Sequence, residues 1–236
     1  MTLLAIETAA ELVGVAIADG DGPRAGVWVR SGRRHAESLA PAIAHVIEQT
    51  GTSLAEVETV AVDVGPGLYT GLRVGVATAQ GLAQGLGIGV LCVTSVAVLA
   101  HAAYEGGWPG AVATVVDARR GEVFAAVYRG AGNESHPPVR CAPDALGDLL
   151  WSVAADTGGP VLVVGNGTTR YADALRPVAG AGAAVVGGPA LADPSPAALV
   201  ALAAGRLAAG QVPVPPGDVR PVYLREPDAR INWPQR

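Results

Sequence analysis

Lysine is absent from this chain, and all 16 basic residues among its 236 are arginine. That absence excludes Schiff-base catalysis, a lysine general base and any phosphate loop of the GxxxxGK[ST] type. Charge of either sign is scarce at 16% of residues, with a net charge of −5 and a pI near 5.3. Such a chain lacks the broad basic surface that holds nucleic acid unaided. Aromatic residues make up only 4%, with a single Phe and a single Met. Its two cysteines, Cys92 and Cys141, lie far apart without CxxC spacing. They give neither a disulfide framework nor a thiolate zinc site, and they fit a reducing cytoplasm. No apolar run reaches the ~20 residues of a membrane span. The first residues carry Glu7 and Glu11 and no basic segment, so no signal peptide is expected.

What the chain does hold is alanine and glycine, 45 and 32 residues, together a third of the total. The interior must then be filled by Ala, Val and Leu, and small residues imply backbones that approach closely. At this length the chain makes one large domain or two small ones, enough to bury a sizeable core.

Three short β-rich runs open the sequence, over 3–6, 12–18 and 25–30, separated by turn residues. The period then changes: Leu39, Ile43, Val46 and Ile47 recur at helical spacing from His35 to Gln49. Gly51 closes that helix, and Ser53 caps a short turn that includes Glu56. A buried strand is expected over 57–64, a helix over 71–86, a strand over 88–93 and a helix from Thr94 or Ser95 to Tyr104. Three strands followed by alternating helices and strands predict a mixed sheet with helices on its faces. Glu105-Gly-Gly-Trp-Pro-Gly110 is the best linker.

Beyond it the chain restarts with strands over 112–116 and 122–128. Glu7 follows the first strand of the first half, and Asp117 occupies the same place in the second. This reads as an internal duplication, although any two hairpins share such a pattern. Helices are expected over 143–155, 168–175 and 196–209, a strand over 161–164, and an extended Pro-rich tail over 212–225 packed on the body. The expected division is an N-terminal lobe over 1–105, a C-terminal lobe with its tail over 106–227, and a loose end over 228–236.

The sharpest local feature is Val64-Gly-Pro-Gly-Leu-Tyr-Thr-Gly-Leu-Arg-Val-Gly75, which leaves a strand and opens a helix. Backbone amides and the helix dipole favour an anion there, and Arg73 adds a bidentate phosphate donor. Gly65, Gly67, Thr70, Gly71 and Arg73 are therefore candidate nucleotide or phosphate contacts. The spacing is neither Rossmann nor P-loop, and a glycine turn with a Thr cap accounts for it equally. The same helix carries Gly71, Gly75 and Ala79 at four-residue intervals. Each interior glycine costs ~1 kcal/mol of helix stability. That cost is offset if another helix, internal or from another subunit, packs close.

His35 opens the preceding helix, but Leu39 stands where an HxxxH metal pair needs its second histidine. Glu7, Asp63 and Asp117 sit at strand ends, from which acids in related sheets hold a metal beside phosphates. Here Glu7 precedes Thr-Ala-Ala rather than a glycine-bearing turn, so no phosphate could approach the backbone closely, and no metal site is assigned. There is no GxSxG elbow, and Cys92 in its apolar strand reads as an inert core thiol.

Taken together, Ala5-Ile-Glu-Thr-Ala, Arg34-His-Ala-Glu-Ser-Leu-Ala-Pro, the segment from Gly65 to Gly75, Val93-Thr-Ser and Asp117-Ala-Arg-Arg-Gly-Glu-Val-Phe resemble the TsaB (YeaZ) family. The motifs occur in the family's order over about residues 3–128. The resemblance implies an α/β chain with the two-lobed actin-like ATPase (ribonuclease-H-like) fold, each lobe a mixed sheet flanked by helices. It implies a cytoplasmic, non-catalytic subunit that pairs with the catalytic paralogue TsaD and the ATPase TsaE. Their joint reaction threonylcarbamoylates adenosine 37 of tRNAs reading ANN codons, with tRNA met only through the complex. No cofactor of its own is implied, ATP or ADP being bound within the complex, and a homodimer of the isolated chain is left open. Family pairing runs through N-lobe helices, which makes His35, Leu39, Ile43, Gly71, Val74, Gly75, Thr78, Ala79 and Leu82 the expected partner interface. The rival reading is a stand-alone glycoprotease-like metallopeptidase or nucleotide hydrolase.

Overall fold

The computed structural model describes residues 1–30, 32 and 34–224. Strands β1 (Thr2–Glu7), β2 (Leu12–Asp19) and β3 (Gly22–Arg30) form an antiparallel meander. Helix α1 (His35–Thr50) leads to β4 (Val57–Asp63), and α2 (Tyr69–Leu86) leads to β5 (Gly89–Val93), both strands parallel to β1. Helix α1 ends where Gly51 takes a left-handed φ of 63°, a conformation that favours glycine. Helix α3 (Ser95–Glu105) crosses to the second half. There β6 (Val112–Arg119), β7 (Glu122–Tyr128), β8 (Glu134–Cys141), α4 (Leu146–Thr157), β9 (Val161–Val164), α5 (Gly167–Arg170), α6 (Ala172–Gly180), β10 (Ala184–Val186) and α7 (Pro196–Ala208) follow.

The first sheet has the order β3-β2-β1-β4-β5, and the second runs β8-β7-β6-β9-β10. Strand for strand the two halves share one topology, which bears out the duplication and the two-lobed fold of the resemblance. Strands β8 and β10 were not expected from the sequence. Both are edges; β8 carries Pro137 and Pro138, tolerated only where no ladder bond is needed, and β10 has just three residues.

The layers explain the composition. Helices α1 and α2 cover the outer face of the first sheet around Leu4, Ile6, Val15 and Val62. Helices α4 and α6 cover the outer face of the second around Val115, Val163 and Leu150. Between the sheets lie α3 and α7, in one continuous core with Leu3, Ala5, Leu91, Phe124, Ala126 and Leu199. Alanine lines this middle layer because two helices and two sheet faces must fit together there.

The expected boundary after residue 105 separates the sheets but not the packing. Helix α3 belongs to the first half in sequence and packs on β6, β7 and β9, while α7 from the second half packs on β1, β2 and β3. The tail also returns to the first lobe. Val214 pairs with Val90 on the β5 edge, the Val222 N–H donates to Val64 O at 2.7 Å, and Val219 is buried. Ser31, Arg33, Arg225 and the loose end expected over 228–236 lie outside the described residues.

Candidate functional site

The β1–β2 turn is the hub of the first lobe. Strand β1 is buried from Leu3 to Glu7, so its last residue delivers a carboxyl group into the buried interior. Glu7 Oε1 accepts the Ala9 N–H at 2.7 Å. On the neighbouring strand, Asp63 Oδ1 accepts the Gly65 N–H and the Ser95 hydroxyl, both at 2.7 Å. Burial and the adjoining Asp63 charge hold Glu7 well above the usual carboxylate range. Burial also raises Asp63, against the hydrogen bonds it accepts. Ser95 is the first residue of α3, so this cluster ties the hairpin turn, the glycine segment and the crossing helix together. Replacing Ser95 by Ala removes a donor from a buried carboxylate. Unfolding free energy should fall by about 1.5–3 kcal/mol, read as a lower urea midpoint at unchanged slope.

The glycine segment packs on the same turn. The Leu68 N–H donates to Ala9 O at 2.7 Å, and a side chain at Gly67 would overlap that carbonyl. Gly65 has a φ of 104°, a conformation few residues but glycine adopt. Gly65, Gly67 and Gly71 therefore meet the chain's own backbone. Thr70 is exposed, and Arg73 stacks 4.1 Å from the Tyr69 ring centroid while its Nε donates to Tyr223 OH at 3.2 Å. The structure thus brings the expected phosphate residues to one loop and the first turns of α2 but gives most of them protein partners.

The expected partner interface divides in two. A Cβ at Gly71 would overlap Thr8 O, one at Gly75 would overlap Thr8 Oγ1, and Ala79 is 0% exposed. Gly71 and Gly75 let α2 lie against the hairpin turn and Ala79 is packed in the outer core, which corrects the expectation that the three face another chain. His35, Leu39 and Ile43 are buried as well. His35 Nε2 donates to Ala10 O at 2.8 Å and lies beside Gly71, while Leu39 belongs to the outer core. Val74, Thr78 and Leu82 are half-buried, next to an exposed stripe of Arg73, Ala77, Gly81, Gln84 and Gly85. Among the described residues nothing lies within 4 Å of a would-be Cβ at Gly81 or Gly85.

Between the lobes opens a cleft of about 510 Å³, lined by the β1–β2 turn, Leu68, the end of β6, α5 and Asp193. Asp117 organises it. Its Oδ1 accepts the Arg119 N–H at 2.9 Å and Tyr171 OH at 3.0 Å, and its Oδ2 pairs with Arg170 at 3.3 Å and Arg119 at 3.4 Å. The turn at Asp117 repeats that at Glu7, each acid accepting an N–H from two residues on. Among the described residues two ion pairs cross the cleft, Arg119–Glu11 at 3.2 Å and Arg30–Asp193 at 2.9 Å. Every carboxylate in the lining is thus matched by an arginine, and the arrangement fastens the lobes together.

Sequence reasoning found Asp63 and Ser95 separately but missed their bond, since a hydroxyl at a helix start 32 residues away leaves no periodic trace. It also missed Arg30, Glu11 and Asp193. The one local signal was Arg119-Arg120-Gly121, a turn whose two arginines have φ of 63° and 56°. His35 and the α2 glycines were legible as special, but their partners were not.

A model of the family described as TsaD: tRNA N6-adenosine threonylcarbamoyltransferase matches residues 29–233. Among curated proteins, the tRNA threonylcarbamoyladenosine biosynthesis protein TsaB of Bacillus subtilis (strain 168) is 28% identical over 236 residues, 99% of this chain and 98% of that one. TsaB of Escherichia coli (strain K12) is 31% identical over 129 residues, so the match spans about half of each chain, 55% in both cases. Among solved structures, YeaZ from Pseudomonas aeruginosa superposes with a TM-score of 0.80 at 28% identity, over 94% of this chain and 99% of that one. Among the described residues no helix is long and apolar enough to cross a membrane.

Proposed function

The chain belongs to the TsaD family, in its TsaB (YeaZ) branch, and from that premise we propose that it serves threonylcarbamoyladenosine biosynthesis in tRNA as a non-catalytic subunit. The observation that carries this reading is the setting of His35. A metal-binding pair on this helix would need two free imidazoles one turn apart. Here His35 is buried and spends its Nε2 on Ala10 O, while Leu39 is packed in the core. These residues do not fit a metal, and the protein's part is then to hold a catalytic paralogue in its working state.

In this reading the partners are a TsaD-like transferase and a TsaE-like ATPase in the cytoplasm. The chain carries no cofactor of its own, ATP or ADP is met within the assembly, and tRNA is bound by the complex. The test mixes the purified chain with both partners and measures complex mass and modified tRNA, with and without ATP. A stoichiometric complex, and product only when all components are present, is the expected result. Metal-dependent turnover of peptide or nucleotide by the isolated chain, lost in Glu7→Ala, would overturn it. So would tight, salt-sensitive tRNA binding by the isolated chain.

A further inference from the structure

Two carboxyl groups meet inside the first lobe. Strands β1 and β4 run parallel with Ile6 opposite Val62, so the next step sets Glu7 beside Asp63. Adjacent strands lie about 4.8 Å apart, which brings two carboxyl groups on one face within reach of each other. Both residues are 0% exposed. Each carboxyl has one oxygen satisfied, Glu7 Oε1 by the Ala9 N–H and Asp63 Oδ1 by the Gly65 N–H and Ser95 OH. Each also has one oxygen left over: Glu7 Oε2 and Asp63 Oδ2 are buried and have no donor among the described residues.

Two like charges this close and out of water are not both retained. A carboxylic acid beside a carboxylate removes the conflict, because its hydroxyl is the donor that the second oxygen lacks. We infer that Glu7 and Asp63 form a proton-binding site, with one proton held between Glu7 Oε2 and Asp63 Oδ2. Glu7 is the acid, because it receives one hydrogen bond where Asp63 receives two, and the carboxylate with more donors keeps the charge.

The other groups around the pair do not replace that proton. Ser95 from α3 already donates to Asp63, and the Asp193 carboxylate ahead of α7 adds negative charge, which disfavours a second anion. His35 from α1 is bonded to Ala10 O, three residues along the turn. The pair therefore clasps the hairpin turn to the strand that feeds the glycine segment, and through Ser95 to α3. It is independent of the proposed place in tRNA modification.

A native state that keeps a proton the unfolded chain has released loses stability as pH rises. The pair's contribution is complete below the unfolded glutamate pKa near 4.3 and declines above it until the native pKa is reached. Within that window the folding equilibrium constant should drop about tenfold per pH unit from this one site. Glu7→Gln keeps an acceptor for Ala9 and offers Asp63 an amide donor that does not titrate. Urea unfolding of the full chain from pH 5 upward should show the wild type falling relative to Glu7→Gln with that slope until the native group itself titrates.

Isotope-edited infrared spectra of the wild type at pH 7, with carboxyl-labelled glutamate, should show a protonated acid that shifts with the label. This readout needs no variant, and Asp63→Asn supplies a second stability comparison if Glu7→Gln does not fold. Parallel stability curves for wild type and Glu7→Gln would overturn the inference. Absence of a protonated glutamate signal at pH 7, or one equivalent of bound divalent metal in the purified wild type, would do the same.

Discussion

Gly71→Ala lowers the melting temperature by roughly 6–12 °C, whereas Gly81→Ala in the same helix raises it by about 2–4 °C. The opposite signs follow from what each new methyl group meets. At position 71 it is driven into the Thr8 carbonyl with His35 close on the other side, and Thr8 Oγ1 already donates to Gly71 O at 2.9 Å. Relief requires α2 to move off the hairpin turn, carrying Leu72 and Val76 out of place. Overpacking of this kind costs typically 1–3 kcal/mol, and rigid backbone as the obstacle puts this position at about 3. At position 81 the methyl group enters open space, and alanine recovers the ~1 kcal/mol that glycine forfeits in a helix interior. Thermal melts of the two variants beside wild type decide the matter. Equal shifts of the same sign would mean that α2 does not lie against Thr8.

The second large effect concerns the proposed partner. Gly81→Arg, and Ala77→Arg one turn earlier, should weaken association with the TsaD-like paralogue by a hundredfold or more. Burying an uncompensated charge in an interface costs roughly 3–5 kcal/mol, and each 1.4 kcal/mol is a factor of ten. Both positions are exposed, and the space around Gly81 admits the longer side chain without internal strain. The variants should therefore melt within about 2 °C of wild type, since surface changes away from special features stay near ±0.5 kcal/mol. Gly75→Arg is no substitute: its side chain would collide with Thr8, and lost pairing would only report unfolding. Calorimetric titration against the paralogue supplies the readout. Unchanged affinity in both exposed variants would remove this face of α2 from the interface.

These two experiments also mark the limit of what was legible in the amino-acid order. The change from period two to period 3.6 at His35 located α1, and Gly51 located its end, because both signals are local. The small residues of α2 were equally visible, yet their purpose split between two faces. Gly71 and Gly75 make room for Thr8, a residue more than sixty positions away, and nothing in the helix itself reveals that distance. Gly81 and Gly85 have no such neighbour among the described residues and lie on the exposed face of the helix. Asp117 was singled out as a strand-end acid, but its ties to Arg170 and Tyr171 depend on where α5 and α6 land. Edge strands β8 and β10 carried too little alternation to be read.

The exchange of α3 and α7 between the lobes governs how the protein is made. The first sheet is fully translated once β5 has left the ribosome, but the helix that covers its inner face begins at Pro196. At the usual ~5–20 residues per second, roughly 100 further residues keep Leu3, Ala5 and Leu91 uncovered for about 5–20 s. During that interval the nascent first half offers a bare apolar sheet to chaperones or to neighbouring nascent chains. A polypeptide cut at the linker would carry the same exposure permanently, so each half needs the other's helix before it can become a soluble body.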